Sequence, residues 1–202
     1  MPGTFFASDH HLGHQGIITF LRNDGVTKVR EFVDVDVMNE HIIAQHNSVV
    51  GERDTCWFLG DVVINRRYLE LIKRFNGRKR LVMGNHDIFK NKDYLKAGFE
   101  DLHAFRKFDG FVATHVPVHS ESIRASWGIN VHGHLHTNRV MRPGFRQWVK
   151  QEDRSIGDMN WQTDVFKADY SPEIDSRYYC VCVEQLDDYK PISIDDLRKK
   201  IC

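Results

Sequence analysis

Thr4-Phe5-Phe6-Ala7-Ser8-Asp9-His10-His11-Leu12-Gly13-His14 sets an aromatic and β-branched run directly against a cluster of oxygen and imidazole side chains. Residues 4 to 7 favour a pleated, half-buried strand, and the run breaks at Ser8-Asp9, where side chains that favour turns take over. The alternation recurs four times. Gly60-Asp61 follows Thr55 to Leu59, Gly84-Asn85-His86-Asp87 follows Lys79 to Met83, Thr114-His115 closes the run from Phe111, and Gly133-His134-Leu135-His136 follows Ile129 to Val131. Short apolar runs bounded by Gly, Asn or Asp read as buried strands, and Tyr178 to Val183 reads as one more.

Between the first strands lie helical patterns, one built on Met38 and Ile42 and ending before Asn47, the other on Tyr68, Leu71, Ile72 and Phe75 before a stop at Asn76-Gly77. Strand, helix, strand, helix, strand argues an α/β domain. Every cluster lies on the carboxyl side of its strand, which is where such folds gather their functional groups. The tail reads as a Pro191-containing turn, a cap at Ser193 and a final helix with Lys199 and Lys200 near its end.

A lone strand-end Asp or His more often caps a turn than binds a metal. Five such clusters in series are not explained by capping. Asp, Asn and His without Cys form an oxygen and imidazole set suited to Mn, Fe or Zn, and two such ions a few Å apart can clamp both the attacking and the leaving oxygen of a phosphoryl displacement. Gly13, Gly60, Gly84 and Gly133, each beside a ligand cluster, let backbone pass close without a Cβ in the way.

The ordered series Asp-x-His, Gly-Asp, Gly-Asn-His-Asp, a lone His and Gly-His-x-His, spread over residues 9 to 136, resembles the calcineurin-like metallophosphoesterase superfamily. The resemblance implies an α/β fold in which a β-sandwich is flanked by helices, four layers in the order αββα. It implies one metal on Asp9, His11, Asp61 and His136 and a second on Asp61, Asn85, His115 and His134, with Asp61 as the bridge. The cofactors would be two divalent or trivalent ions, Mn first, with Fe, Zn or Ni as alternatives. His86 matches the catalytic His that assists the leaving oxygen, and a carboxylate such as Asp87 is a candidate to orient its ring. His14 is a candidate substrate contact, as is His119, each weighed against a capping or loop-packing role. Strand alternation turns His10 and His132 away from the ligands.

Composition narrows the partners. Lys plus Arg and Asp plus Glu are 28 each in 202 residues, so no global field favours nucleic acid or an anionic membrane. No stretch is long enough to span a bilayer and the first residues lack a basic and apolar leader, so a soluble, cytoplasmic protein is expected. The four cysteines have no Cys-x-x-Cys spacing, and Cys180 and Cys182 would share one strand face as small core residues. A single domain is expected over residues 1 to 202, interrupted by an irregular insertion at about 138 to 175, where Arg139, Arg142, Arg146, Lys150 and Arg154 mix with aromatics. Those residues, Arg22 and Arg30 are weighed as phosphate contacts against ordinary surface charge. The expected activity is a metal-dependent phosphodiesterase acting on a small or nucleotide-like phosphoester. A phosphomonoesterase is the nearest alternative, followed by a nuclease and a non-catalytic scaffold. Oligomeric state is not legible.

Overall fold

The computed structural model describes residues 2–123, 127–142 and 173–201. In chain order the elements are β1 (Thr4–Ala7), α1 (Val35–Val49), β2 (Thr55–Phe58), β3 (Arg78–Val82), α2 (Asn91–Ala97), β4 (Phe99–His103), β5 (Arg106–Phe108), β6 (Phe111–Ala113), β7 (Ile129–His132), β8 (Tyr178–Cys180), β9 (Ile192–Ser193) and α3 (Ile194–Ile201). They form a mixed α/β protein with two mixed sheets. The first has the order β4-β3-β2-β1-β9, parallel except for β9; the second has the order β5-β6-β7-β8, parallel except for β5.

Strand alternation sorts the core. Cys56 and Phe58 of β2 face a cluster with Met38, Ile42 and Ile43 of α1 and Tyr94 of α2, whereas Trp57 and Leu59 join Phe6, Phe111, Val131, Val181 and Leu197 in a second cluster drawn from both sheets. α1 starts at Asp34, whose side chain accepts from the Val37 N–H, and its buried Val35, Met38, Ile42, Ile43 and His46 recur at helical spacing. Ser193 caps α3 by accepting from the Asp196 N–H at 3.1 Å.

Four elements depart from expectation. Residues Arg66–Arg74 form a 3-10 helix, and Leu69, Ile72 and Phe75, all buried, have the three-residue spacing that suits one. α2 and its neighbours β4 and β5 were not anticipated, because β4 and β5 are edge strands whose Glu100, Asp101, Arg106 and Lys107 leave no apolar run.

The chain divides into two compact units, residues 1–139 with 176–202, and residues 140–175. In the second unit Met141 and Ile174 pair in an antiparallel bridge, with Arg142 N–H donating to Glu173 O and Asp175 N–H to Val140 O. Arg146, Lys150 and Arg154 lie outside the described residues. Among the described residues, no helix is long and apolar enough to cross a membrane.

Candidate metal centre

Because β1 and β2 are parallel neighbours, the chain leaves both on the same side: Asp9 N–H donates to Gly60 O and His11 N–H to Asp61 O, each at 3.0 Å. Ser8 forms a parallel bridge to Cys182, tying the end of β1 to the extension of β8. Loops from both sheets therefore meet at one edge.

There the ligand candidates gather into two groups that can hold metal ions, Asp9 with His11 and His136, and Asp61 with His115 and His134; within each group the donor atoms lie within 4.8 Å of one another. Ligand bonds of about 2.1 Å put donors around one ion roughly 3 to 4 Å apart, so the spacing is suitable. Asp61 Oδ2 lies 3.8 Å from His11 Nε2 and 3.3 Å from His115 Nε2, between the two groups. Asn85 Oδ1 is 2.9 Å from His115 Nε2.

The donor set fits cations. One oxygen of each carboxylate is committed to the protein: Asp9 Oδ2 accepts from His134 N–H at 2.8 Å and the Ser8 hydroxyl at 2.5 Å, and Asp61 Oδ1 accepts from His86 N–H at 2.8 Å. The other oxygens face imidazole nitrogens. Asp9 Oδ1 and His11 Nε2, buried and 3.5 Å apart, have no hydrogen-bond partner among the described residues. His115 Nδ1 is 2.8 Å from Leu59 O and His136 Nδ1 is 3.0 Å from Glu184 Oε1, so in the neutral rings each Nε2 presents a lone pair toward acceptor oxygens. Such a constellation is repulsive unless a proton or a cation sits within it.

Without metal, protons fill that role. Burial pushes His115 down, but its hydrogen bond to Asp61 and the charges of Asp9 and Asp61 raise it to about 9. Burial likewise pushes the Asp9 carboxyl up, yet His11, His115 and His136 hold it well below the carboxylate range.

Backbone strain is concentrated in these same residues. Asp9, His11, Asp61, His134 and His136 have φ of 58°, 50°, 54°, 70° and 50°, a left-handed conformation that non-glycine residues rarely adopt. Close approach accounts for two glycines: a Cβ at Gly84 would collide with Oδ1 and N of Asp61, and one at Gly133 with Ser8 Oγ and Asp9 Oδ2.

His86 is exposed, its ring centroid 5.7 Å from that of His11. His14 stands 5.5 Å from the His11 ring, and burial with the charges of His11 and Arg30 pushes it down to about 4. His10 packs on Phe58 and Phe75 away from the ligands, His132 is buried with Nδ1 2.7 Å from Gly133 O, and His119 caps a short turn through Glu121 N–H.

Two readings need correction. Asp87 does not orient His86: its carboxylate accepts from the N–H groups of Asp61, Val62 and Gly84 at 2.8, 3.1 and 2.8 Å, bracing the loop that carries Asp61. Arg30 is no surface phosphate contact, being 1% exposed with its guanidinium on Glu184 and the carbonyls of Asp9 and His10. Glu184 was missed altogether, since nothing in Val183-Glu184-Gln185 separates it from a solvated residue. Cys182, expected as plain core, also places its thiol 3.2 Å from Asp9 Oδ2.

The uncharacterized protein MJ1445 of Methanocaldococcus jannaschii is 30% identical over 148 residues, covering 69% of this chain and 73% of that protein. The chain belongs to the MJ1445 family. The Gene 66 protein of Mycobacterium phage L5 is 34% identical over 93 residues, 43% of this chain and 41% of that protein. Among solved structures, the protein of unknown function AQ665 from Aquifex aeolicus overlays 98% of this chain and 99% of its own with a TM-score of 0.60 at 24% identity, a likeness of fold. Nuclease MPE of Pseudomonas putida overlays 66% of this chain and 61% of its own at 18% identity with a TM-score of 0.45, too loose to bear on this member of the MJ1445 family. No family model matches.

Proposed function

We propose that this protein is a dinuclear metal-dependent phosphodiesterase of the calcineurin-like metallophosphoesterase type, hydrolysing a small or nucleotide-like phosphodiester, with its two sheets as the inner layers of an αββα sandwich. The observation that carries the reading is Asp61 Oδ2 lying between His11 and His115, within reach of both Asp-His-His groups, as a carboxylate shared by two ions would be.

Asp9, His11, Asp61 and His136 would hold one ion, and Asp61, Asn85, His115 and His134 the other. When bound, two such ions lower the pKa of a water and neutralise charge on phosphoryl oxygens, Mn suiting the mixed oxygen and nitrogen donors. The chain's own work is positional. Asp61 would screen two cations from each other, and Asn85 would add a carbonyl donor without adding charge. His86, anchored through its N–H to Asp61 Oδ1, makes no ring hydrogen bond among the described residues, which leaves its imidazole available to assist the leaving oxygen. His14, neutral at pH 7, offers a substrate contact beside it.

The rim supports an organic substituent on the phosphate. Ile88, two residues past His86, is 76% exposed, Val116, next to His115, 48%, and Phe20, whose ring lies 5.5 Å from that of His14, 49%. Cys56, Cys180 and Cys182 are buried free thiols, in keeping with a cytoplasmic setting.

The test is hydrolysis of bis-nitrophenyl phosphate and nitrophenyl phosphate by metal-stripped protein resupplied with Mn, Fe, Zn, Ni or Mg. The reading expects metal-dependent turnover of the diester, lost in His86→Ala while metal binding persists. Preference for the monoester would replace it with a phosphomonoesterase, and bound metal without turnover of either ester would overturn it.

A further inference from the structure

The two groups differ in what stands behind their histidines. His115 Nδ1 rests on the neutral Leu59 carbonyl at 2.8 Å, whereas His136 Nδ1 rests on the Glu184 carboxylate at 3.0 Å. Glu184 in turn accepts from Arg30 Nε at 2.7 Å and Nη2 at 2.6 Å, and the two charged side chains are 1% and 0% exposed. Arg30 continues inward: Nη1 donates to His10 O at 2.8 Å and Nη2 to Asp9 O. One buried ion pair therefore touches a ligand side chain and the strained backbone that runs from Asp9 to His11.

We propose that Glu184 and Arg30 are positioning residues that make the Asp9, His11 and His136 group the tighter of the two metal sites. The inference rests on the dinuclear reading above and adds an order of affinity to it. A carboxylate behind a ligating imidazole fixes its tautomer and ring orientation and raises its basicity more than a carbonyl does, and losing such a partner typically weakens metal binding about 10- to 100-fold. Arg30 supplies the second half. Asp9 and His11 sit at φ of 58° and 50°, and the guanidinium bonds to the carbonyls of residues 9 and 10 hold that loop in its ligating shape before a cation arrives. A buried ion pair is a poor source of net stability, so its main effect is on the geometry of the groups it touches. The Asp61 group has a different support, Asp87 acting on three backbone N–H groups, and it should be indifferent to changes at Glu184.

The experiment is Mn titration of the metal-free full chain by calorimetry, with bound metal counted independently. His136→Ala and His134→Ala serve as references for loss of each site. Glu184→Leu alone would strand Arg30 in the interior, so the informative variant is the double substitution Arg30→Met with Glu184→Leu, which replaces the pair by apolar groups of similar volume. Wild type should bind two ions, the tighter one missing in His136→Ala. The double variant should melt cooperatively without metal, lose about 10- to 100-fold in affinity for that ion and keep the other within about twofold. Glu184→Gln, which retains an acceptor for His136, should fall between. Equal weakening of both ions, no weakening of either, or a wild type whose tighter ion survives in His136→Ala would overturn the inference while the dinuclear reading stands. A wild type that binds no Mn, Fe, Zn or Ni would overturn the metal centre itself.

Discussion

The loop edge that carries the ligands and the apolar interior beneath it are separated by only a few residues of each strand, yet they are built on opposite rules. In the interior, Phe6, Phe58, Leu81 and Val131 are fully buried and alternate along the strands onto two faces. At the edge, five non-glycine residues hold left-handed backbone, and buried polar atoms such as Asp9 Oδ1 and His11 Nε2 have no hydrogen-bond partner among the described residues. Local choices agree with the fold in one region and oppose it in the other, a mismatch that marks function rather than poor folding. Changes at the edge should therefore alter chemistry and leave folding largely alone, and changes in the interior should do the reverse.

The largest expected effect is at the bridge. Asp61→Asn keeps an oxygen for the His86 N–H but removes the charge between the two groups, and turnover should fall by about 100- to 1000-fold, the scale of one lost electrostatic stabiliser. Its metal-free melting temperature should stay near that of wild type; a variant that instead fails to fold would erase the distinction between edge and interior. Next in size is Phe58→Ala. Phe58 is fully buried, with Phe75 and Phe99 edge-on at 5.5 and 5.4 Å, and its truncation should cost about 3 to 5 kcal/mol in denaturant unfolding. Turnover per folded molecule should hold.

A third effect sharpens the comparison by acid. His46 lies in the interior against Phe58 and Phe75, and burial pushes its pKa down from 6.5 to about 4. The unfolded chain then takes up the proton first. Its contribution to stability is complete above pH 6.5 and is lost as the pH falls toward 4, by up to about 3 kcal/mol. Melts of the metal-free protein from pH 7.5 to 4.5 should show that decline, and His46→Gln should reduce it without abolishing it, because buried His10 and His132 are shifted in the same direction. Smallest is Ser193→Ala, which removes the cap of α3 and should cost about 1 kcal/mol with no change in metal binding.

What the chain discloses in advance follows the same division. β1, β2 and β3 are legible because apolar runs of strand length end in turn residues, and the ligand clusters because hard donors recur behind those runs. Arg30, Glu184 and Asp87 act through partners far away in sequence, Glu184 on Arg30 across 154 positions and Asp87 on Val62 across 25, and no local period marks such pairs. β4 and β5 stay hidden for a different reason: charged edge strands look like loops until a neighbour supplies the pairing.

β1 lies between β2 and β9, and Ser8 N–H and O bond to Val181 O and Val183 N–H. Asp9 thus acquires its surroundings from residues about 175 positions later, which at translation speeds of roughly 5 to 20 residues per second leave the ribosome some ten to thirty seconds after it. A nascent chain carries the Asp9 loop without these partners until residues 181 to 183 have emerged. Any cation that the Asp9 group can hold would therefore meet a finished site only after the segment around Val181 and Val183 has paired with Ser8.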